Sequence, residues 1–295
     1  MQKLKYALRF IKLSFQMAVE NEQLQKPWMI FSLGSLVLIL AAAIPLALVV
    51  GLIGLPPIGM IFIGLISTFL LFGLRIFGEV AALSTSQIFN NLIRFDADPE
   101  VPGESEPFLD VLTRSGNDVA YFRLTYPILR LFYQVRGAIL KEPQDAPSWF
   151  NAGGLVLPVI ALEQLATDEA TKRVSDMIDG NLLRWQPSFI PVDMFSRIIE
   201  GVTTVAGIVL GFVVGIAIAK PTLFGSWRML PGCLVGLVIA SMLTVVGIAF
   251  STFIRACYHT ALYCWAENVA AAQQSEGMTQ VSPPKILRQV LEKRF

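Results

Sequence analysis

Charge is scarce in this sequence. Asp, Glu, Lys and Arg make up 15% of its 295 residues while apolar residues reach 54%; a soluble domain carries roughly 25% charge. The mean hydropathy is +0.61. Two stretches have almost no charge and the rest is ordinary, which excludes a purely soluble fold and points to two lipid-facing regions. Histidine occurs once, at His259, so a multi-histidine metal site is excluded. The three cysteines (Cys233, Cys257 and Cys264) lie in apolar sequence without a CxxC pair. An odd set of this kind is no disulfide framework and reads as small core hydrophobes. A net charge of +1 leaves no basic footprint for nucleic acid. There is no P-loop and no dinucleotide fingerprint, and no serine sits in anything like a nucleophile elbow. The sequence therefore names no catalytic, metal or cofactor residue, and an enzyme is the least supported class.

What is present is length of apolar sequence. Four segments meet the requirement of about 20 apolar residues for a spanning helix: Trp28–Ile53, Ile58 to about Leu74, Ile198–Ala219, and Pro231 to about Ile254. Ala41-Ala42-Ala43 imitates a signal cleavage site, but hydrophobicity continues past it, so an uncleaved span is expected. Gly54-Leu55-Pro56-Pro57 is too short to hold a domain and makes the first two spans a tight hairpin. The second pair is joined by a stretch with Lys220, Pro221, Trp227 and Arg228, suited to a membrane surface. The expected fold is all-α and polytopic, with four transmembrane helices as two hairpins.

Lys and Arg set the expected orientation. The first hairpin loop has none and the second has two, whereas the N-terminal, central and C-terminal segments carry five, ten and five. The positive-inside rule then places all three long segments, and both termini, on the cytoplasmic side of a cell membrane. The expected organisation is an amphipathic N-terminal helix (1–27), a first hairpin with its extension (28–94), a central cytoplasmic or interfacial region (95–197), a second hairpin with its extension (198–272) and a tail (273–295). In the first segment Leu4, Leu8, Ile11, Phe15 and Ala18 recur at helical spacing with Lys5, Arg9 and Lys12 on another face. That combination suits the lipid–water interface; packing on the central region is the alternative.

The central region is ambiguous. Val119–Leu140 is apolar but carries Arg123, Arg130 and Arg136, each costing roughly 2.5–3.5 kcal/mol at mid-bilayer. Ala146–Leu162 is uncharged but short and broken by Pro147, Pro158 and Gly153-Gly154. If both crossed, the protein would have six spans. Residues 98–107 and 273–284 read as exposed linkers. A weak parallel repeat of helix, span, turn and span is also visible, with Ala82-Leu83 matching Ala261-Leu262.

Few residues within this frame suggest chemistry. Arg75 and Glu79 lie four apart on one helical face. Arg75 follows Ile58 by roughly 25 Å of helix, far enough to snorkel to the surface; a polar contact inside the bundle is the alternative. Glu163 is expected to cap the helix carrying Glu169–Met177, or else to meet a cation. Gly207, Gly211 and Gly215 form a small-residue stripe that permits close helix packing, within the chain or with another chain.

Three patches resemble an uncharacterised family of bacterial multipass membrane proteins: Lys12-Leu13-Ser14-Phe15; Pro158-Val159-Ile160-Ala161-Leu162-Glu163 with Glu169-Ala170-Thr171-Lys172-Arg173; and Ala261-Leu262-Tyr263-Cys264-Trp265-Ala266. The resemblance implies a polytopic helical fold and no known activity. Its members have two further spans where this chain carries the three arginines. The expected function is a non-enzymatic scaffold or accessory subunit, partnered by the bilayer and by other membrane helices or further copies of itself. A small transporter or lipid-handling protein is the alternative.

Overall fold

In a computed structural model, residues 2–49, 57–97, 108–140, 148–179, 190–219, 230–276 and 281–291 are described, and among them there is no strand. In chain order the helices are α1 (Gln2–Glu20), α2 (Glu22–Leu48), α3 (Pro57–Ala97), α4 (Phe108–Leu140), α5 (Val156–Glu163), α6 (Thr167–Asp179), α7 (Ile190–Ala219), α8 (Leu230–Glu276) and α9 (Lys285–Leu291), with a 3₁₀ stretch at Ser148–Leu155 before α5. The expected turn at 54–57 (apart from Pro57, which begins α3), the connection at 220–229 and the linker at 98–107 lie outside the described residues.

Four helices are long and apolar enough to cross a membrane: Glu22–Leu46, Ile61–Arg94, Val192–Ile218 and Pro231–Gln273. The all-α, polytopic expectation holds, and the count among the described residues is four. Neither α4 nor the shorter apolar helix Ala152–Glu163 is among them, so the six-span alternative finds no support. The 146–162 segment fails because it is divided: Ala152 departs from helical geometry at φ −122°, and α5 has only 8 residues.

The chain forms two compact units. One comprises Trp28–Gly78 and Ser196–Thr252; the other comprises Met1–Pro27, Glu79–Phe195 and Phe253–Phe295. We call them the apolar unit and the polar unit. In this partition the extensions of both hairpins group with the termini and the central region.

Each helix contributes about 21 to 24 residues to the apolar unit, or roughly 31–36 Å of rise. That matches a hydrocarbon core of about 30 Å. Many of its large side chains face outward, Leu33, Val37, Ile44, Phe69, Val205, Phe212 and Val246 among them, while Phe31, Ile39, Leu74 and Ile248 are buried. In α2 and α3, the rings of Phe31 and Phe77 meet tilted at 5.9 Å, and Leu38 lies 4.0 Å from the Cβ position of Gly73. The pairing numbers run in opposite directions, so this is an antiparallel hairpin. In α7 and α8 the pairs Gly207 with Ala240, Gly211 with Gly236 and Gly215 with Gly232 define the second.

The polar unit is built differently. Glu79 to Asn90 of α3 and Phe253 to Tyr258 of α8 are buried on every side. A helix enclosed all round needs small residues and satisfied polar groups. Ala81, Ala82, Ser84, Thr85 and Ser86 supply the first. Thr85 Oγ1 donates to Ala81 O at 2.7 Å and Ser86 Oγ to Ala82 O at 2.9 Å, a back-bond that leaves the helix intact. Gln87 donates to Ala161 O at 2.9 Å and ties α3 to α5. α6 packs on the 3₁₀ stretch, α5 and α4, and α9 packs on α1. Ala82, Leu83, Ala261 and Leu262, the matched dipeptides of the possible repeat, all lie in this core.

Candidate functional site

The functional candidates are ion pairs and one helix seam. Arg75 and Glu79, four residues apart, do not pair with each other. Arg75 Nη2 lies 2.7 Å from Glu200 Oε1 of α7, within the apolar unit. Arg75 is 45% exposed and Glu200 10%, so the guanidinium reaches outward as snorkelling requires while still holding a partner. Glu200 stands near the start of one apolar run and Arg75 at the end of another, and no local spacing in the sequence links the two.

Glu79 belongs to the polar unit and is buried there, at 2% exposure. Its Oε1 faces two guanidinium groups, that of Arg123 on α4 and that of Arg255 on α8, the latter at 3.5 Å. Taking a carboxylate out of water costs several kcal/mol unless it is paired and hydrogen-bonded. Two arginines supply that compensation, and in return they join three helices. This explains the arginine in α4 that spoils it as a span: Arg123 is a partly buried partner of Glu79 within the polar unit, 44 positions away in sequence.

Glu163 does not cap the following helix. It closes α5, the chain leaves through Gln164 at φ 56°, and α6 starts at Thr167. The backbone N–H of Thr167 donates to Asp118 Oδ1 at 3.2 Å, and its hydroxyl donates to the same oxygen at 3.1 Å. The cap-like role therefore falls to Asp118, from α4. Glu163 Oε1 instead accepts from Arg173 Nε at 3.0 Å and from the Tyr263 hydroxyl at 2.8 Å. The same hydroxyl lies 2.7 Å from Glu267 Oε1, so one hydrogen is shared between two acceptors. Arg94 Nη2, 3.3 Å from Glu267 Oε2, completes the chain of charges. The hydrogen bond to Glu163 raises the Arg173 pKa above its ordinary value, burial opposes this, and the fields of Glu163, Tyr263 and Glu267 add to the rise. The family-like motif residues Glu163, Arg173 and Tyr263 thus meet in one network, although up to 100 residues separate them.

His259 Nε2 stands 3.7 Å from Asp193 Oδ1. A Cβ on Gly154 would collide with its imidazole ring, so glycine is required there. The histidine is packed in place by the 3₁₀ stretch. No group of three or more metal-ligating side chains occurs among the described residues.

The glycine stripe is used within the chain. A Cβ on Gly207 would lie 2.8 Å from Ala240 O, and one on Gly215 2.9 Å from Gly232 O; one on Gly211 would run into Gly236 O. The receiving face is a second stripe of the same spacing, Gly232, Gly236 and Ala240. It was legible as small residues four apart but was not singled out. Backbones approach this closely only where both helices lack side chains.

No family model, curated protein or solved structure matches this chain.

Proposed function

We propose that this integral membrane protein is a non-enzymatic scaffold or accessory subunit whose polar unit receives a helix of another membrane protein along α4. One observation carries the reading. Tyr121, Leu124, Ile128, Leu131 and Val135 of α4 are all exposed, between 48% and 66%. Their spacing alternates three and four, the spacing of a helix–helix seam. The opposite side of the same helix is held in the polar unit by Val119, Phe122 and Arg123. A stripe this long, on a helix whose other face is already committed at Val119 and Phe122, is what a docking subunit needs. The glycine stripe does not support the same reading, because α8 covers it.

The test is co-purification of the full chain in a mild detergent, with a photo-crosslinking residue at Ile128. The expected result is one membrane subunit at fixed stoichiometry, trapped from Ile128 and lost in the Leu124→Glu/Ile128→Glu variant while thermal unfolding is unchanged. A chain that elutes alone and traps only lipid overturns the reading.

A cytoplasmic placement of the polar unit and both termini belongs to the same proposal. All but four of the 23 Lys and Arg residues (Arg75, Arg197, Lys220 and Arg228) fall in that unit. A C-terminal reporter active only outside the cytoplasm should stay silent.

A lipid- or solute-handling role is favoured by a different feature, a cavity of about 430 Å³ in the polar unit. Leu13, Met17, Leu92 and Ile286 line it beside Glu20 and Lys285, a mixture of apolar wall and opposite charges found in sites for small amphipathic molecules. Mass spectrometry of the intact protein should find one molecule bound at unit stoichiometry, displaced by Leu92→Trp. An empty protein overturns this second reading.

A further inference from the structure

α1 has three faces, and the fold fully buries only one. Ala7, Phe10 and Ser14 are buried, and Phe10 meets Tyr258 edge-on at 5.5 Å. Leu4, Leu8 and Val19 form a second face and remain exposed at 45%, 47% and 75%. Phe15, on the same face, packs its ring 5.5 Å from Phe253 yet keeps 38% of its surface open. Lys5, Arg9 and Lys12 form a third face, about 90° around the helix from the second at 100° per residue. The periodicity of the sequence merges the first two faces into one apolar stripe; the structure separates them.

We infer that the Leu4–Leu8–Val19 face lies in the boundary between headgroups and acyl chains of an anionic bilayer, with Lys5, Arg9 and Lys12 reaching its phosphates. Three observations select a lipid surface over a protein partner. The exposed apolar stripe and the basic stripe are adjacent on one helix, the arrangement of an interfacial helix. The basic stripe complements an anionic surface. The chain also leaves little freedom, since only nine residues along the sequence separate Val19 from Trp28, the first residue of the expected span. The apolar face is therefore tethered at the membrane surface. Exposing it to water there would forfeit roughly the transfer free energy of several large side chains.

The test uses the full chain in vesicles of phosphatidylglycerol and phosphatidylcholine, with a benzophenone amino acid at Leu8, Val19, Lys172 or Phe69. Phe69, exposed in the apolar unit, shows that the reaction works. Lipid adducts at Leu8 and Val19 in yields like those at Phe69, and few at the exposed Lys172 of α6, are expected. Phosphatidylglycerol should be enriched among the Leu8 adducts by about fivefold over its share of the vesicle, the effect of one basic side chain at an anionic surface. The enrichment should disappear in Lys5→Gln/Lys12→Gln. Adducts to a second copy of the chain, or none at Leu8 and Val19 while Phe69 reacts, overturn the interfacial placement. Adducts with no enrichment overturn the role given to the basic stripe.

Discussion

The two units share helices but solve burial in opposite ways. In the apolar unit many large side chains point outward, and the contact of α7 with α8 is made by what is absent, the side chains of Gly207, Gly211, Gly215, Gly232 and Gly236. In the polar unit the side chains point inward and contacts are made by charge, Glu79 between Arg123 and Arg255, and Glu163 and Glu267 around Tyr263. α3 and α8 change from one regime to the other along a single helix axis. The lesson is that a continuous helix need not have one environment: α8 has 47 residues, roughly 70 Å, more than twice a hydrocarbon core.

This contrast can be broken most severely at Glu79. Glu79→Ala leaves two guanidinium groups without the carboxylate between them, and stability should fall by about 3–5 kcal/mol, seen as an earlier thermal transition in detergent. The Glu79→Ala/Arg123→Met double variant should recover part of the loss. If Glu79→Ala melts like the wild type, charge does not hold the polar unit together.

Phe69→Asp puts a charge on the exposed surface of the apolar unit. Insertion should become less favourable by about 2.5–3.5 kcal/mol if the site lies deep in lipid, read as the inserted fraction in a translocation assay. The exposed Lys172→Asp on α6 should leave insertion unchanged. Equal behaviour of the two variants would erase the distinction between the units.

Gly211→Val drives a branched side chain into the Gly236 backbone. Overpacking of this kind costs about 1–3 kcal/mol, and the carbonyl cannot move aside without opening the α7–α8 contact. Gly201→Val is the control, because nothing lies within 4 Å of a Cβ there. The two should separate in thermal unfolding, with only the first destabilised.

The smallest effect is expected at Arg75. Its ion pair with Glu200 is short, but the guanidinium is 45% exposed, and pairs of that kind contribute at most about 1 kcal/mol. Arg75→Gln should shift the melting temperature far less than Glu79→Gln. The reverse order would mean that the pair in the apolar unit, and not the triad in the polar unit, is the electrostatic centre of the protein.

Helix content, span number and the amphipathic first helix were legible in the sequence because each depends on residues within one or two helical turns or within one apolar run. The glycine stripe on α7 was legible for the same reason, and its complement on α8 was present in plain spacing. Other features needed the fold. Arg123 reads as a defect in an apolar segment until Glu79 and Arg255 stand beside it. Glu163 reads as a cap for the next helix until Asp118 is found at Thr167 and Arg173 and Tyr263 are found at the carboxylate.

Length and apolar composition by themselves determined that this chain is all-α with four helices able to cross a membrane, because a spanning helix satisfies its own backbone hydrogen bonds and needs only enough uninterrupted apolar residues. Tertiary structure alone decided which charges meet, which side of the glycine stripe is covered and which of the apolar residues of α1 remain exposed. Those outcomes join positions tens to more than a hundred residues apart, and no local periodicity encodes a partner at that distance.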